Sequence, residues 1–384
     1  MTQTSAKARL VSPLRPEQSL RVAVLGAGHG GQAMAGHLAL MGCDVRIFNR
    51  GKLRLEPIRQ TGGIELSGLV QGFGAVPVAT TDMAEALDGA ELIMVVVPAT
   101  GHEFMARAMA PHLRDGQVVV LNPGRTGGAL EVHTILRQEG AAPGALVAEA
   151  QTLIYAARCI NPAQVKIFGI KNTVPLAAIP GHRTVDALRM VRRAYPQFVP
   201  AINVLKTSLD NIGAIFHPAI TVLNAGRIES TNGNFEFYMD GITQATARIL
   251  EHMDAERIAV AEALGFSATR ARDWLYLAYD ATGRNLHDAI HNNVGYKGIN
   301  APTSLQTRYL WEDVPMSLVP MSSIGNLLGV PTPTIDHIID LASIIDETDY
   351  RGTGRTVERL GLAGLTVREI QRLVQEGEVI AHAV

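Results

Sequence analysis

The feature that most constrains the fold is a glycine-rich turn between a short apolar run and a helix-like stretch. The apolar run is Arg21–Leu25, and the turn is GAGHGG at residues 26–31. The turn fits Gly-x-Gly-x-x-Gly through Gly26, Gly28 and Gly31. A strand, this turn and a helix in succession are typical of the first βα unit of a dinucleotide-binding sheet, and this context makes the pattern more specific than the glycines alone.

Each glycine of the turn has its own physical role. Gly26 allows the tight turn, Gly28 lets a pyrophosphate approach the backbone, and Gly31 permits close packing of helix on sheet. His29 and Gly30 lie at the helix N-terminus, where unpaired N–H groups and the positive end of the helix dipole attract phosphate. We predict that these five residues bind a dinucleotide; the alternative is a glycine-rich turn that binds no ligand.

Strand and helix signals alternate through the first half of the chain. Asp44–Phe48 predicts a second strand, and β-rich runs at 91–97 and 117–121 are each followed by helix-like sequence. This alternation predicts a mostly parallel sheet covered by helices on both faces. Three strand-like segments with little helix between them then predict a mixed or antiparallel edge; they lie at 145–160, 164–171 and 173–179.

The pattern changes near residue 207. Beyond it, strand signals nearly vanish and helical periodicity dominates, over 209–225, 238–263, 269–279, 331–346 and 366–375. We predict an α/β Rossmann-type N-terminal domain over 20–207 and a mainly α-helical C-terminal domain over 208–384. Residues 1–19 are expected to form a flexible tail.

Composition excludes several classes of function. Lys and Arg number 34 and Asp and Glu 36, so the net charge of −2 gives no strong positive field for nucleic acid. The longest apolar run, near 92–98, is far shorter than the roughly 20 residues of a membrane-spanning helix. Only two cysteines occur, Cys43 and Cys159, which fits a reducing compartment. We expect a cytoplasmic enzyme with neither nucleic acid nor membrane as partner.

The end of the second predicted strand distinguishes the two nicotinamide cofactors. An acidic residue there would bond the ribose 2′-hydroxyl of NAD, but the sequence has Asn49 and Arg50. No carboxylate repels a 2′-phosphate, and Arg50 can pair with one. We therefore expect NADP(H) to be preferred, with NAD(H) possible; the alternative is that Arg50 is a solvated surface residue.

Two residues mark the expected nicotinamide end. Pro98 and Asn122 follow the runs at 91–97 and 117–121. Ligands in such sheets bind beyond the carboxyl ends of the strands, so these residues are expected to contact the cofactor. Turn formation explains a proline there equally well.

His217 and the segment RYLWEDVP at 308–315 are candidates for chemistry. His217 lies just past the domain junction in an apolar helical stretch, and a histidine there is more often a core residue than a catalytic one. A carboxylate such as Asp313 would fix the tautomer of a neighbouring histidine. Arg308 could hold a substrate carboxylate through two parallel hydrogen bonds. Spacing does not show that these residues meet, and a surface patch of charge is the alternative.

His287 and His291 are spaced like two metal ligands on one helix face. Asp288 follows His287, where the known zinc motif has Glu, and the chain offers no clear third ligand. We therefore predict no metal site.

Taken in order, seven motifs resemble the octopine/nopaline (opine) dehydrogenase family from Arg21 to about Gly377. They are GAGHGG at 26–31, NPGRTGG at 122–128, EAQTLIYAAR at 149–158, FHP at 216–218, NVGY at 293–296, RYLWEDVP at 308–315 and GVPTP at 329–333. The ordered set is far more specific than any one motif. The glycine turn is shared with many Rossmann enzymes, and GVPTP also resembles ketopantoate reductases.

The resemblance implies a reductive condensation. An α-keto acid and the amine of an amino acid form an imine, which NAD(P)H reduces to a secondary-amine dicarboxylate. His217 and Asp313 match the family's catalytic pair, and Arg308 matches an arginine that holds a substrate carboxylate. The segment that lines the family's substrate pocket contains Glu149, Gln151 and Thr152. For the second carboxylate, three residues are open: Arg125, Arg158 and Lys297.

Two other functions remain open from the sequence. A ketopantoate-reductase-like enzyme would reduce a keto acid to a hydroxy acid without any amine, using a catalytic lysine for which Lys206 is the nearest candidate. A non-catalytic regulator would bind NADPH and turn nothing over; His217, Arg308 and Asp313 argue against it. The apolar faces of the helical half make a homodimer plausible.

Overall fold

Strands dominate the first half of the chain. The structure, a computed structural model, describes residues 19–378. The predicted tail at 1–19 therefore lies outside the described residues, apart from Ser19. The strands in the described residues are β1 (Arg21–Leu25), β2 (Asp44–Phe48), β3 (Gly63–Gly68), β4 (Gly72–Ala75), β5 (Val78–Thr80), β6 (Leu92–Val95), β7 (Val118–Leu121), β8 (Leu146–Ala150), β9 (Tyr155–Asn161), β10 (Gln164–Ile170), β11 (Val174–Ile179) and β12 (Phe198–Pro200).

Helices alternate with the strands and then dominate the second half. Those of the first half are α1 (His29–Leu40), α2 (Glu56–Thr61), α3 (Met83–Leu87), α4 (His102–Met109), α5 (Gly128–Gln138) and α6 (Thr184–Val191). Those of the second half are α7 (Val204–Leu209), α8 (Gly213–Leu223), α9 (Ala225–Thr231), α10 (Gln244–Ala263), α11 (Ala271–Tyr279), α12 (Leu286–Asn292), α13 (Arg308–Trp311), α14 (Val319–Leu328), α15 (Pro333–Ile345), α16 (Tyr350–Thr353) and α17 (Val367–Glu376).

The central sheet has eight strands in the order β12-β11-β8-β7-β6-β1-β2-β5. All neighbouring pairs are parallel except β8 and β11, which run antiparallel. The predicted parallel sheet with a mixed edge is therefore confirmed, and β1 and β2 have the predicted bounds. Their apolar runs are nearly continuous because helices cover both faces of the sheet.

The sequence did not predict a second, four-stranded sheet, ordered β4-β3-β10-β9. Two of its strands, β3 and β4, lie in the segment 62–75. This segment contains five glycines, and glycine weakens strands, so the pattern gave no strand signal. The predicted single strand at 145–160 is in fact two strands, β8 in the central sheet and β9 in the small one. The small sheet packs on α1, the helix that follows the glycine turn.

The change from strands to helices falls between the end of β12 at Pro200 and the start of α7 at Val204. Within the described residues, the only later β pairing is an isolated bridge between Glu236 and Asn300. The Rossmann-type half followed by a mainly helical half is therefore confirmed as a fold class, while the boundary at 207 stays a prediction. In residues 19–378 no helix is long and apolar enough to cross a membrane.

A fully buried arginine joins the two halves. Arg355 follows α16, and its Nε forms an ion pair with Glu131 on α5 at 2.6 Å. Its other nitrogens donate to the carbonyl oxygens of Ala99, Gly124 and Thr126 at 3.1–3.2 Å. All four partners belong to the Rossmann-type half. The guanidinium thus fixes the loops at the carboxyl edge of the sheet against the helical half.

Replacing Arg355 with Met should lower the free energy of unfolding by about 3 kcal/mol, because three buried carbonyl oxygens lose their donor and Glu131 keeps only its ion pair with Arg359. Urea denaturation would measure the change. Arg351→Met is the matched control, since its ion pairs with Asp336 and Asp340 are half-exposed and should contribute less than about 1 kcal/mol. Equal losses in the two variants would contradict a special role for Arg355.

Candidate active site

A cleft of about 1530 Å³ runs between the two halves of the chain. At one end it is lined by the glycine turn, including Gly28 and His29, and by Pro98 and Asn122. At the other end it is lined by residues of the helical half, among them His217 on α8 and Arg308 on α13. Most of the predicted site residues therefore meet in one cavity.

Sterics account for two glycines of the turn. Gly26 has φ +116°, and a Cβ there would lie 2.3 Å from the carbonyl oxygen of Val96. A Cβ on Gly31 would lie 1.8 Å from the carbonyl oxygen of Gly26. Neither position accepts a side chain, as predicted for the tight turn and the close packing of helix on sheet.

Gly28 faces open space at the N-terminus of α1. A Cβ there would meet only the Nη1 of Arg54, at 3.5 Å. No side chain caps the helix, and its first turn has no acidic residue, so N–H groups and the positive dipole end remain for an anion. His29 faces the cleft and accepts a hydrogen bond from the backbone N–H of Cys159 at 3.0 Å. Burial and the nearby Arg158 and Arg54 lower the pKa of His29, so it is neutral near pH 7.

Residues 49–55, which follow β2, contain two arginines and no carboxylate. The side-chain oxygen of Asn49 accepts a hydrogen bond from the backbone N–H of Ala27 at 3.2 Å, which ties β2 to the glycine turn. Arg50 is exposed, with its guanidinium 5.4 Å from the ring centre of Phe104. Arg54, which the sequence reading did not single out, lines the cleft beside Gly28.

Pro98 and Asn122 line the cleft at the carboxyl edge of the sheet, as predicted. The amide nitrogen of Asn122 donates to the carbonyl oxygen of Val120 at 2.9 Å. Its side-chain oxygen is buried and has no hydrogen-bond partner in the described part of the chain. A buried acceptor without a donor is costly, and a ligand amide would satisfy it. The glycine turn, the uncapped helix and this acceptor fit a nicotinamide dinucleotide.

The structure brings His217 and Asp313 together. The Nδ1 of His217 lies 2.9 Å from the Oδ2 of Asp313. An ionised carboxylate only accepts hydrogen bonds, so Nδ1 carries the proton and Nε2 is left for the cleft. The ring stacks on Tyr309 at 4.4 Å between centres, and Tyr309 stacks on Phe237 at 5.0 Å. The carboxylate and the aromatic stack therefore fix both the tautomer and the plane of the ring.

Asp313 stays ionised although it is completely buried. Burial acts to raise its pKa, but the charge of Arg125, the hydrogen bond from His217 and the charge of Arg308 together lower the pKa below the ordinary value. The Nη1 of Arg125 forms an ion pair with Asp313 at 3.2 Å. Arg125 was a candidate for a substrate carboxylate; in the structure it is already paired with Asp313 and Glu312.

Glu312, the neighbour of Asp313, orients Arg308. Its buried carboxylate accepts from the Nε of Arg308 at 2.8 Å and from the backbone N–H of Ala99 at 3.1 Å, and it lies 3.5 Å from Arg125. Arg308 itself is half-exposed and lines the cleft. Adjacent carboxylates of the helical half thus hold two different arginines, Arg308 at the cleft and Arg125 beside Asp313.

The three predicted pocket residues are in different positions. Gln151 and Thr152 line the cleft. Glu149 lies beneath it, fully buried, and accepts from the backbone N–H of Ala129 and from the hydroxyls of Thr207 and Ser208. Burial raises the pKa of Glu149 to about 7. Those bonds tie β8 to α5 and α7, and no lining atom of the cleft belongs to Glu149, so a substrate role for it stays a prediction.

Lys171 is a cleft residue that the sequence reading missed. It lines the cavity directly after β10, and burial and the charge of Arg125 lower its pKa to about 8. The other two candidates for a carboxylate, Arg158 and Lys297, do not line the cleft. Lys206 also lies outside it, paired with Asp210 at 2.6 Å.

His287 and His291 stack on each other 4.0 Å apart on α12, outside the main cleft. His287 pairs with Gln244 and Asp288, and His291 bonds the carbonyl oxygen of Ile242. Residues 19–378 contain no group of three His, Cys, Asp or Glu side chains placed to hold a metal ion.

Family models match both halves of the chain. Residues 200–345 match the NAD/NADP octopine/nopaline dehydrogenase alpha-helical domain, and residues 21–124 match the NAD-dependent glycerol-3-phosphate dehydrogenase N-terminus. Fold and site together define an oxidoreductase that binds a nicotinamide dinucleotide and has a separate helical domain.

Individual relatives narrow this class. An opine dehydrogenase from Arthrobacter sp. (strain 1C) is 39% identical over 359 residues, which cover 93% of this chain and 99% of the relative. An octopine dehydrogenase from Mizuhopecten yessoensis is 29% identical over 84% of this chain and 89% of its own. The structure of octopine dehydrogenase with NADH and L-arginine is similar with a TM-score of 0.79 and 26% identity, over 95% of this chain and 100% of that one. The chain therefore belongs to the opine dehydrogenase family, oxidoreductases that act on CH–NH donors.

Proposed function

We propose that this chain joins the amine of an amino acid to an α-keto acid and reduces the resulting imine to a secondary-amine dicarboxylate. The observation that carries the proposal is the His217–Asp313 pair, which faces the same cleft as the glycine turn and the oriented Arg308. A bound reduced nicotinamide supplies the hydride. The glycine turn, Asn49, Pro98 and Asn122 would hold that cofactor.

The geometry suits His217 to accept and donate protons during the reaction. Its Nε2 faces the cleft, and Asp313 stabilises the imidazolium that forms when Nε2 takes up a proton. His217 can therefore accept a proton from the amino acid's ammonium group, which must be neutral to attack a carbonyl carbon. The same imidazolium can return the proton when the carbinolamine loses water. Arg308, on the same segment as Asp313, would hold the keto acid by its carboxylate with the carbonyl group near His217.

The reaction is tested by NADPH oxidation with pyruvate, with and without a pool of amino acids. Oxidation that requires both the keto acid and the amine supports the proposal. Oxidation with the keto acid alone would indicate a hydroxy-acid dehydrogenase instead. Binding of NADPH without turnover on any pair of substrates would favour the alternative that the chain is a non-catalytic NADPH-binding regulator.

His217→Ala should lower kcat by about 10²–10⁴-fold, the usual contribution of general acid–base catalysis. The dissociation constant for NADPH should stay unchanged, because His217 lies at the substrate end of the cleft. His112→Ala, an exposed histidine outside the cleft, is the control. Full activity in His217→Ala would refute the assignment.

We propose that NADP(H) is preferred over NAD(H). Two cations, Arg50 and Arg54, lie near the end of β2, and Asn49 occupies the position of a ribose-binding acid. A 2′-phosphate would gain charge-assisted hydrogen bonds there, while the 2′-hydroxyl of NADH would miss its usual carboxylate.

Arg50→Ala should raise the KM for NADPH by about 10–100-fold, the loss of a hydrogen bond to a charged group, and leave the KM for NADH nearly unchanged. Lys52→Ala, exposed on the same loop, is the matched control. Initial rates over a range of each cofactor give both constants. Equal effects on the two cofactors would contradict a role for Arg50 at the phosphate.

The cleft wall in the helical half favours an amino acid with an uncharged side chain. It is aromatic: Tyr238 and Tyr296 stack at 4.0 Å between centres, and Tyr279 contacts both Tyr296 and Trp274. Among the described lining residues, the only carboxylate is Asp210, and Lys206 and Thr269 already bond it. A guanidinium or ammonium side chain would enter this wall without a partner.

Apolar amino acids such as leucine or phenylalanine should therefore show kcat/KM values at least about tenfold above those of arginine and lysine, because a desolvated cation without a partner costs free energy. Trp274→Ala should lower kcat/KM for phenylalanine. Tyr276→Ala, exposed on the same helix and outside the lining, should not. A preference for arginine would refute the prediction that the aromatic wall selects an uncharged side chain.

A further inference from the structure

We propose that Lys171 is the second carboxylate anchor of the cleft and holds the carboxylate of the amino-acid substrate. The inference rests on the proposed reaction, in which two carboxylates enter one cavity and Arg308 holds only one. Neither the motifs nor the family resemblance assigned a role to this lysine.

The backbone places Lys171 beside the turn between β8 and β9. Its N–H donates to the carbonyl oxygen of Ile154 at 2.9 Å. The Nζ donates to the hydroxyl of Thr152 at 2.9 Å and to the carbonyl oxygen of Leu153 at 2.7 Å. An ammonium group has three N–H donors, so one of them remains for a ligand.

Lys171 differs in charge balance from the other cations at this end of the cleft. Arg125 is paired with Asp313, and Arg308 with Glu312. Within residues 19–378, Lys171 has no carboxylate within ion-pair distance. Its side chain is exposed at the cleft, so a ligand carboxylate can reach the ammonium group. Partial loss of solvent around that group and the charge of Arg125 lower the pKa of Lys171, and a bound carboxylate would offset both effects.

Thr152 completes a site with two donors. Its hydroxyl accepts from Lys171 and keeps its own O–H for another acceptor. One N–H from Lys171 and one O–H from Thr152, 2.9 Å apart at their heavy atoms, match the two oxygens of a carboxylate. Both residues line the cleft.

The two anchors lie in different halves of the chain. Arg308 belongs to the segment that holds His217 in place, so a keto acid held there has its carbonyl group near the proton donor. Lys171 belongs to the Rossmann-type half and is close enough to Arg125 for that charge to lower its pKa. An amino acid held by Lys171 can extend its side chain across the cleft to the aromatic wall. Because Arg308 is the cation beside His217, we assign the keto acid to Arg308 and the amino acid to Lys171.

Lys171→Met should raise the KM for the amino acid by about 10–100-fold, the loss of a hydrogen bond between charged groups. The kcat, the KM for the keto acid and the dissociation constant for NADPH should change by less than about threefold, because the cation acts on carboxylate binding alone. Lys171→Arg should restore part of the affinity. Lys166→Met is the matched control, an exposed lysine on β10 whose ammonium lies over the ring of Phe168.

An amine that has the amino acid's side chain but lacks its carboxylate sharpens the test. The wild-type enzyme should strongly favour the amino acid over this amine, and Lys171→Met should lose most of that preference. Thr152→Val should shift the KM for the amino acid in the same direction by a smaller factor, which keeps the proposal testable if Lys171→Met fails to fold.

An unchanged KM for the amino acid in a folded Lys171→Met enzyme would overturn the inference, and so would a shift confined to the keto acid. The proposed reaction is judged separately, by whether the wild-type enzyme needs an amine to oxidise NADPH. If the wild-type enzyme needs an amine and the Lys171→Met variant has the same KM for the amino acid, only the proposed role of Lys171 is refuted.

Discussion

The ion pair between Arg125 and Asp313 is the interaction on which the rest of the site depends. Asp313 is fully buried, and burial acts to raise its pKa and so favours the protonated form. The guanidinium keeps it ionised, and only an ionised carboxylate fixes the proton of His217 on Nδ1. Arg125 has φ +60°, a left-handed backbone that is unfavourable for a residue with a Cβ. The turn at 122–128 therefore holds a local strain of about 1 kcal/mol or more while it places one charge beside Asp313.

The two halves of the chain contribute different kinds of groups to the site. The Rossmann-type half provides backbone groups and fixed geometry, with the uncapped start of α1 at one end and the buried acceptor of Asn122 further along. The helical half provides His217 and the carboxylate that orients it. The consecutive residues Glu312 and Asp313 point at two different arginines, so a single short segment sets the tautomer of the histidine and the direction of Arg308 together.

The sequence predicted the central sheet and the glycine turn, and the resemblance implied that His217 pairs with Asp313, because each depends on local pattern or on residues matched within a motif. Contacts between distant segments were harder to predict. Lys171 was missed because the strand expected at 164–171 was placed at the edge of the central sheet, whereas β10 belongs to the small sheet. Glu149 was expected in the pocket with Gln151 and Thr152, but it lies within β8, where alternate side chains point to opposite faces. Its partners lie in α5 and α7 below the sheet, whereas the other two lie beyond the strand's end.

The contacts of Arg355 with the Rossmann-type half affect the order in which the enzyme folds during its synthesis. Its guanidinium holds carbonyl groups that precede it by 231 residues at Gly124 and 256 at Ala99. These loops leave the ribosome long before the arginine does. Because domains fold as units during synthesis, the nucleotide-binding half can form early. The loops that border its reactive edge reach their final positions only when α16 and Arg355 arrive. A nascent chain would therefore acquire the ability to bind a dinucleotide before it acquires the ability to use one.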